Sequence, residues 1–173
     1  MEELERTYLA KELPADLYTA TSKEMIDIYV PASAAHPDLR IRKRGDRYEI
    51  TRKRPIVEGD SSRMLEITIP LDAAEFEEFA VIRGKRVEKR RYVYTNEGRA
   101  YEVDVFTGDL AGLVLVDIEF QTVAEKDAFT PPSFCLVEVT QEKFLAGGML
   151  CGKTYADIEP RLQKLGYTKI ESR

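Results

Sequence analysis

Cysteine is nearly absent from this chain: Cys135 and Cys151 are the only two, and they form no CxxC pair. No disulfide framework follows, which fits a reducing compartment. Histidine is scarcer still. His36 stands alone in the Pro-rich loop sequence "PASAAHPD", where a surface position is expected, so a Ser–His or Cys–His catalytic centre is not indicated. No run is apolar and long enough to span a bilayer. "MEELERTYLA" has no basic segment followed by an apolar one, so no secretory signal is expected and the expected location is the cytoplasm. Positive charge is not in excess either. With 26 Lys and Arg against 31 Asp and Glu, the net charge of −5 argues against a general nucleic-acid or anionic-membrane binder. Repeats, low-complexity segments and interdomain linkers are missing too.

What remains is an ordinary globular composition, 33% charged and 43% hydrophobic over 173 residues, read as one domain spanning 1–173. Strand patterns dominate. Alternation over 3–10 gives way to a polar, weakly helical stretch at 12–20 and resumes over 23–30. "LRIRKR" and "RYEITRKR" flank Gly45-Asp46, a hairpin signal. A strand over 62–70 leads into helical spacing at 71–82, where Ala74, Phe76, Phe79 and Ala80 share a side. "KRVEKRRYVYT" and "RAYEVDVFT" make a second hairpin around Asn96-Glu97-Gly98, and "LVLVDIEFQ" is the eighth strand. Helical segments are expected at 122–129 and 155–166. Eight consecutive, mostly hairpin-linked strands predict a mainly β (α+β) fold: an eight-stranded antiparallel barrel, closed or cup-shaped, with a few flanking helices.

Strand alternation sorts the side chains by face. One face carries Glu3, Glu5 and Thr7; Lys23, Asp27 and Tyr29; Arg40, Arg42 and Arg44; Glu49, Thr51 and Lys53; Glu66 and Thr68; Lys89 and Arg91; Glu102 and Asp104; Asp117 and Glu119. The other face is mostly apolar. In an open sheet such a charged face would simply meet water. The signs, however, are sorted by strand, acids on the first, seventh and eighth and bases on the third and sixth, whereas a solvated surface mixes them. Curled inward, the same face lines a polar cavity able to hold one small ligand. Same-face neighbours on a strand lie roughly 6.5–7 Å apart, close enough for two carboxylates to share one cation. Carboxylates suit Mg²⁺ or Mn²⁺, and the Arg fork suits phosphate oxygens. A metal–polyphosphate complex satisfies both sets.

Two other signals are weaker. "GGMLCGK" lacks the spacing and context of a phosphate-binding P-loop. Alternation divides the charges of "KRVEKRRY" between two faces, so direct nucleic-acid binding is not expected.

"ELERTYL", "LRIRKRGDRYEITRKR", "RVEKRRY" and "YEVDVFTGDLAGLVLVDIEF" resemble, in order, the ExExK, RxR, KxR and acidic strand signatures of the CYTH family, the triphosphate tunnel metalloenzymes. The match runs over about 3–120, with a fainter continuation at "VEVTQEKF". The resemblance implies a charged barrel interior and hydrolysis of inorganic triphosphate, thiamine triphosphate or nucleoside triphosphates with Mg²⁺ or Mn²⁺. Two alternatives stay open: a class IV-type adenylate cyclase, and a non-catalytic binder of polyphosphate or nucleotide. A homodimer is compatible with either role. Carried over by position, Glu3, Glu5, Asp104, Asp117 and Glu119 would hold metal, and Arg40, Arg42, Lys53, Lys89 and Arg91 would hold phosphates. Tyr29 and Lys89 would act in catalysis, Tyr29 by aiding proton transfer. Glu66 and Glu102 are further candidates. Thr7 stands where the signature has lysine, Met64 where relatives often carry an acid, and "KFLAGGMLCGK" replaces the usual basic C-terminal pattern, leaving Lys143 or Lys153 as substitutes.

Overall fold

A computed structural model of the chain describes residues 2–58, 60 and 62–172, the side chains of residues 2 and 3 excepted. The strands are β1 (Glu2–Ala10), β2 (Thr21–Val30), β3 (Leu39–Arg44), β4 (Arg47–Pro55), β5 (Arg63–Leu71), β6 (Lys85–Asn96), β7 (Arg99–Phe106), β8 (Val114–Phe120) and β9 (Cys135–Glu138). The helices are α1 (Ala73–Ala80), α2 (Val123–Ala128), α3 (Gly147–Leu150) and α4 (Tyr155–Lys164). Among the described residues no helix is long and apolar enough to cross a membrane.

Local chemistry sets several boundaries. Arg44 pairs with Arg47 across Gly45-Asp46, and Gly45 takes φ +57°, which a residue without a Cβ adopts at no steric cost. Asp72 ends β5 and starts α1: its side chain accepts from Glu75 N while Glu75 reaches back to Asp72 N, a reciprocal cap at both ends of 2.8 Å bonds. Thr154 and Asp157 cap α4 in the same way.

All strands pair antiparallel in the order β5-β4-β3-β2-β6-β7-β8-β1, and the ring shuts through Glu2↔Leu65, Glu3↔Met64 and Leu4↔Arg63. It is therefore a closed eight-stranded barrel. Beyond Leu4 the same edge of β1 passes to β9, with Tyr8↔Glu138, Leu9↔Val137 and Ala10↔Cys135. Between these two pairings Thr7 is held from the C-terminal side, its O accepting from Val139 N at 2.8 Å and its N donating to Thr140 Oγ1 at 3.1 Å.

Two expectations from the sequence need correction. Four-residue β9 lies outside the eight predicted strands, since a run this short just after Pro131-Pro132 carries too few alternating positions to stand out. The 12–20 stretch contains only a 3₁₀ turn at Leu17–Thr19, anchored by fully buried Leu17. Pro14 in its midst has no N–H for a helical bond.

The apolar outer faces of β1, β6, β7 and β8 form one core with Leu17 and Phe134, including Tyr8, Tyr92, Val103, Val116 and Ile118. Helix α1 lays Phe76 over Ile28 and Ile41, with Tyr48 and Ile50 beside them. The inward positions Val87, Phe106 and Leu115 join Val139, Leu145 and Leu150 of the C-terminal segment in a third cluster. That cluster gives the barrel interior an apolar floor at one end. On β5 the outer face stays uncovered, Ile67 and Ile69 being 53% and 58% exposed.

Candidate functional site

The candidate side chains read from the sequence line one cavity of about 1110 Å³ inside the barrel, apart from Lys153 and from Glu3, whose side chain lies outside the described residues. Tyr29, Arg40, Arg42, Lys53, Lys89 and Arg91 are there, as are Glu5, Glu66, Glu102, Asp104, Asp117, Glu119 and Lys143. Lys143 reaches it from a 3₁₀ turn at Lys143–Leu145, whereas Lys153 is exposed and does not line the cavity. His36 is exposed, as expected of its loop, but borders the same cavity. Glu102, Asp117 and Glu119 also border a smaller cavity of about 420 Å³ together with Arg99.

Cross-strand register assembles the wall. Glu5 faces Glu119, Thr7 faces Asp117, Glu102 faces Asp117, Arg91 faces Asp104 and Asp27 faces Arg42. Arginine and lysine neutralise the paired acids. Arg91 donates from Nε to Asp104 Oδ1 and from Nη2 to Asp104 Oδ2, both at 2.6 Å, from Nη2 to Asp117 Oδ2 at 2.9 Å, and from Nη1 to Glu102. Lys89 donates to Asp104 as well. Elsewhere Lys53 Nζ meets Glu5 at 3.0 Å, Arg40 lies 3.7 Å from Glu66, and Thr7 donates to Asp117 Oδ1 at 2.8 Å.

Burial governs the charge states. Asp104 is 1% exposed; burial alone would raise its pKa, but Arg91 and Lys89 outweigh that and bring it to about 2. Burial pulls Lys89 below its usual range, opposed by Asp104. Arg91 is lifted well above its ordinary value, with burial working against Asp104, Asp117 and Glu102. Burial raises Tyr29, and Asp27 raises it further, so the phenol is protonated at neutral pH. Its hydroxyl packs on Gly147 so closely that a Cβ there would stand 2.0 Å from it.

Asp27, Gly147 and Gly148 are cavity residues that sequence reading left out of the site. Asp27 had a usable signal, being an inward acid on the strand before Arg42. The glycines had none beyond their adjacency, because the need for them comes from the approach of Tyr29 and of Pro37 O.

Not all donors are taken. Among the described residues Arg40 Nε is buried with no hydrogen-bond partner, an uncommon state for a buried donor. Arg42 has Asp27 as its one ion-pair partner there, leaving Nη1 unengaged. Both arginines belong to β3, opposite the acid strands. Among the described residues no three acidic or thiol side chains already converge into a metal cage. The acid wall still offers carboxylate oxygens in register on β1 and β8, the donor type a hard divalent cation takes.

A closed antiparallel barrel with acids along one arc of its inner wall and cations along the other is the architecture of the triphosphate tunnel proteins. The chain is 35% identical over 146 residues to an inorganic triphosphatase of Nitrosomonas europaea, covering 83% of this chain and 92% of that protein. It thus belongs to the CYTH family of triphosphate tunnel metalloenzymes. The crystal structure of an inorganic triphosphatase superposes with TM-score 0.63 at 29% identity, over 86% of this chain and 93% of the other. A putative adenylate cyclase from Bacillus halodurans shares the fold at TM-score 0.54 and 13% identity, over 99% and 95% of the two chains. No family model matches the chain.

Proposed function

We propose that the chain is a divalent-metal-dependent triphosphatase, with inorganic triphosphate as its substrate and Mg²⁺ or Mn²⁺ as its cofactor. One observation carries this reading: on one strand inside the cavity, Arg40 Nε is buried without a hydrogen-bond partner and Arg42 Nη1 engages no acceptor among the described residues, while Lys53, Lys89 and Arg91 are each matched by acids. A polyanion is what such donors await. The family relative's activity agrees with it.

In this reading Arg40 and Arg42 grip phosphate oxygens, and Lys53, Lys89 and Arg91 add positive potential along the chain. Glu3, Glu5, Asp117 and Glu119 would hold the cation, which supplies neutralisation of charge developing on phosphate oxygens. Asp104, with both oxygens engaged by Arg91, serves as the counter-charge that keeps Arg91 and Lys89 in place. Water attacks a terminal phosphorus, the bond to the bridging oxygen breaks, and phosphate and pyrophosphate leave. Tyr29, kept protonated by burial, donates a proton to the leaving pyrophosphate oxygen, and the proton released by the attacking water returns to the phenolate through solvent. Alignment and electrostatics carry the catalysis, so a covalent nucleophile has no part in it.

Phosphate release from inorganic triphosphate, thiamine triphosphate and ATP, with Mg²⁺ or Mn²⁺ and then with excess chelator, tests the assignment. The expected result is fastest turnover of inorganic triphosphate, abolished by chelation. Cyclic AMP with pyrophosphate from ATP, or tight binding without turnover, would overturn it.

A further inference from the structure

Asp27 stands on β2 directly across from Arg42 and is 2% exposed. Arg42 Nε donates to Oδ1 at 2.6 Å and Nη2 to Oδ2 at 2.7 Å, so both carboxylate oxygens are engaged from one edge of the guanidinium. A planar group held at two points on one edge has its opposite edge fixed in space. The contrast with Arg91 is informative, since all three of its nitrogens are engaged by Asp104, Asp117 and Glu102. Arg42 is gripped on one side only. It lines the cavity a strand away from Lys89, and two residues from Arg40 with its unpartnered Nε.

We propose that Asp27 is a positioning residue for anion binding: it aims the unengaged edge of Arg42 into the cavity, at an oxygen of the bound triphosphate. This rests on the triphosphatase reading of the site. Charge alone works the other way. A carboxylate beside an anion site repels the anion, so a purely electrostatic role for Asp27 weakens substrate binding, and its removal then tightens it. The two roles therefore differ in sign. The geometry also explains why an inward acid sits among the cations of β2 and β3. Without it Arg42 would face Arg40, Lys89 and Arg91 with no counter-charge, and its long side chain would have several rotamers to choose from.

The test uses the full chain with Mg²⁺ and inorganic triphosphate, comparing Asp27→Asn, Arg42→Lys and the double variant by kcat, KM and thermal melting. Asp27→Asn keeps the shape but loses the charge and one of the two bonds. Positioning predicts a rise of about tenfold or more in KM for Asp27→Asn, the scale of a lost charge-assisted hydrogen bond, and little further change when it is added to Arg42→Lys. Should Asp27→Asn not accumulate as folded protein, Asp27→Glu serves: it keeps the charge but shifts the carboxylate by one methylene, so positioning predicts the same rise in KM, and an unchanged KM in folded Asp27→Glu overturns it. A KM that falls for Asp27→Asn, or stays unchanged while only the melting temperature drops, overturns positioning and leaves the triphosphatase assignment standing. Unchanged turnover and KM in folded Arg42→Ala overturns positioning as well, because Arg42 then touches no substrate oxygen; the triphosphatase assignment falls only if the unaltered chain releases no phosphate from inorganic triphosphate.

Discussion

Arg91 and Asp104 meet across the β6–β7 pair through two parallel hydrogen bonds of 2.6 Å, deep inside the barrel where Asp104 is almost wholly shielded from water. Removing the guanidinium strands that carboxylate with Lys89 as its main remaining partner. Arg91→Ala should destabilise the fold by about 3–5 kcal/mol, the usual consequence of leaving a buried charge uncompensated. Denaturant unfolding followed by circular dichroism measures it, and a loss under about 1 kcal/mol would mean the pair behaves as a surface contact.

Acid should undo the same pair. The Asp104 carboxyl sits at about 2 in the folded protein against its ordinary 3.8. A depressed carboxylate contributes stability above the unfolded value and loses it as the pH falls toward the folded one, here from about 4 to about 2. On the order of 2 kcal/mol of unfolding free energy should disappear across that window through this group. Asp27 is also held below its usual range, by Arg42 against the effect of burial, and adds in the same direction. A pH series of melting curves checks this: Asp104→Asn should show a shallower decline between pH 4 and 2 than the unaltered chain.

Gly147 matters because of where Tyr29 ends. A methyl group there would stand 2.0 Å from the phenolic oxygen and 2.9 Å from Cζ, inside any allowed contact. Gly147→Ala should cost roughly 1–3 kcal/mol as an overpacked site and lower the rate of phosphate release by displacing the hydroxyl. Tyr29→Phe removes the clashing oxygen, so the alanine should be better tolerated on that background. Stabilities that simply add across the two changes would speak against this contact.

Thr7 gives Asp117 Oδ1 a neutral hydrogen bond of 2.8 Å where the family signature offers a lysine. Thr7→Val should leave the barrel folded and cost about 1 kcal/mol. Thr7→Lys adds a cation to the cavity wall beside Asp117 and should lower KM for inorganic triphosphate severalfold, a shift on the scale of one charged hydrogen bond. Steady-state phosphate release reads both; an unchanged KM in Thr7→Lys would show that the remaining cations already suffice.

Much of this architecture was legible in the sequence because a strand repeats every two residues and charge makes the repeat visible. Glu102, Asp104, Asp117 and Glu119 could be set on one face without coordinates, and so could Arg40 with Arg42 and Lys89 with Arg91. Sorting of sign by strand then favoured closure over an open, wet sheet. What stayed hidden depends on neighbours that chain order does not name. Pairing of Asp27 with Arg42 needs the β2–β3 register. The apolar floor needs Val87, Phe106 and Leu115 brought under Leu145 and Leu150, from a tail with no clear periodicity. Glycine 147 reads as loop filler until Tyr29 is seen against it. Short β9 offered only four residues to a pattern that needs more.

The divided edge of β1 bears on how the molecule comes to exist. Its lower half waits for β5 and its upper half for β9, and Tyr8 finds Glu138 at a sequence separation of 130. During synthesis β1 therefore emerges long before either companion, carrying backbone groups that stray strands could occupy. Such distant pairings make assembly slow relative to hairpin zippering. A nascent chain halted short of β9 would keep an adhesive flank even with the ring closed, so the late addition of β9 also retires the hazard of aggregation.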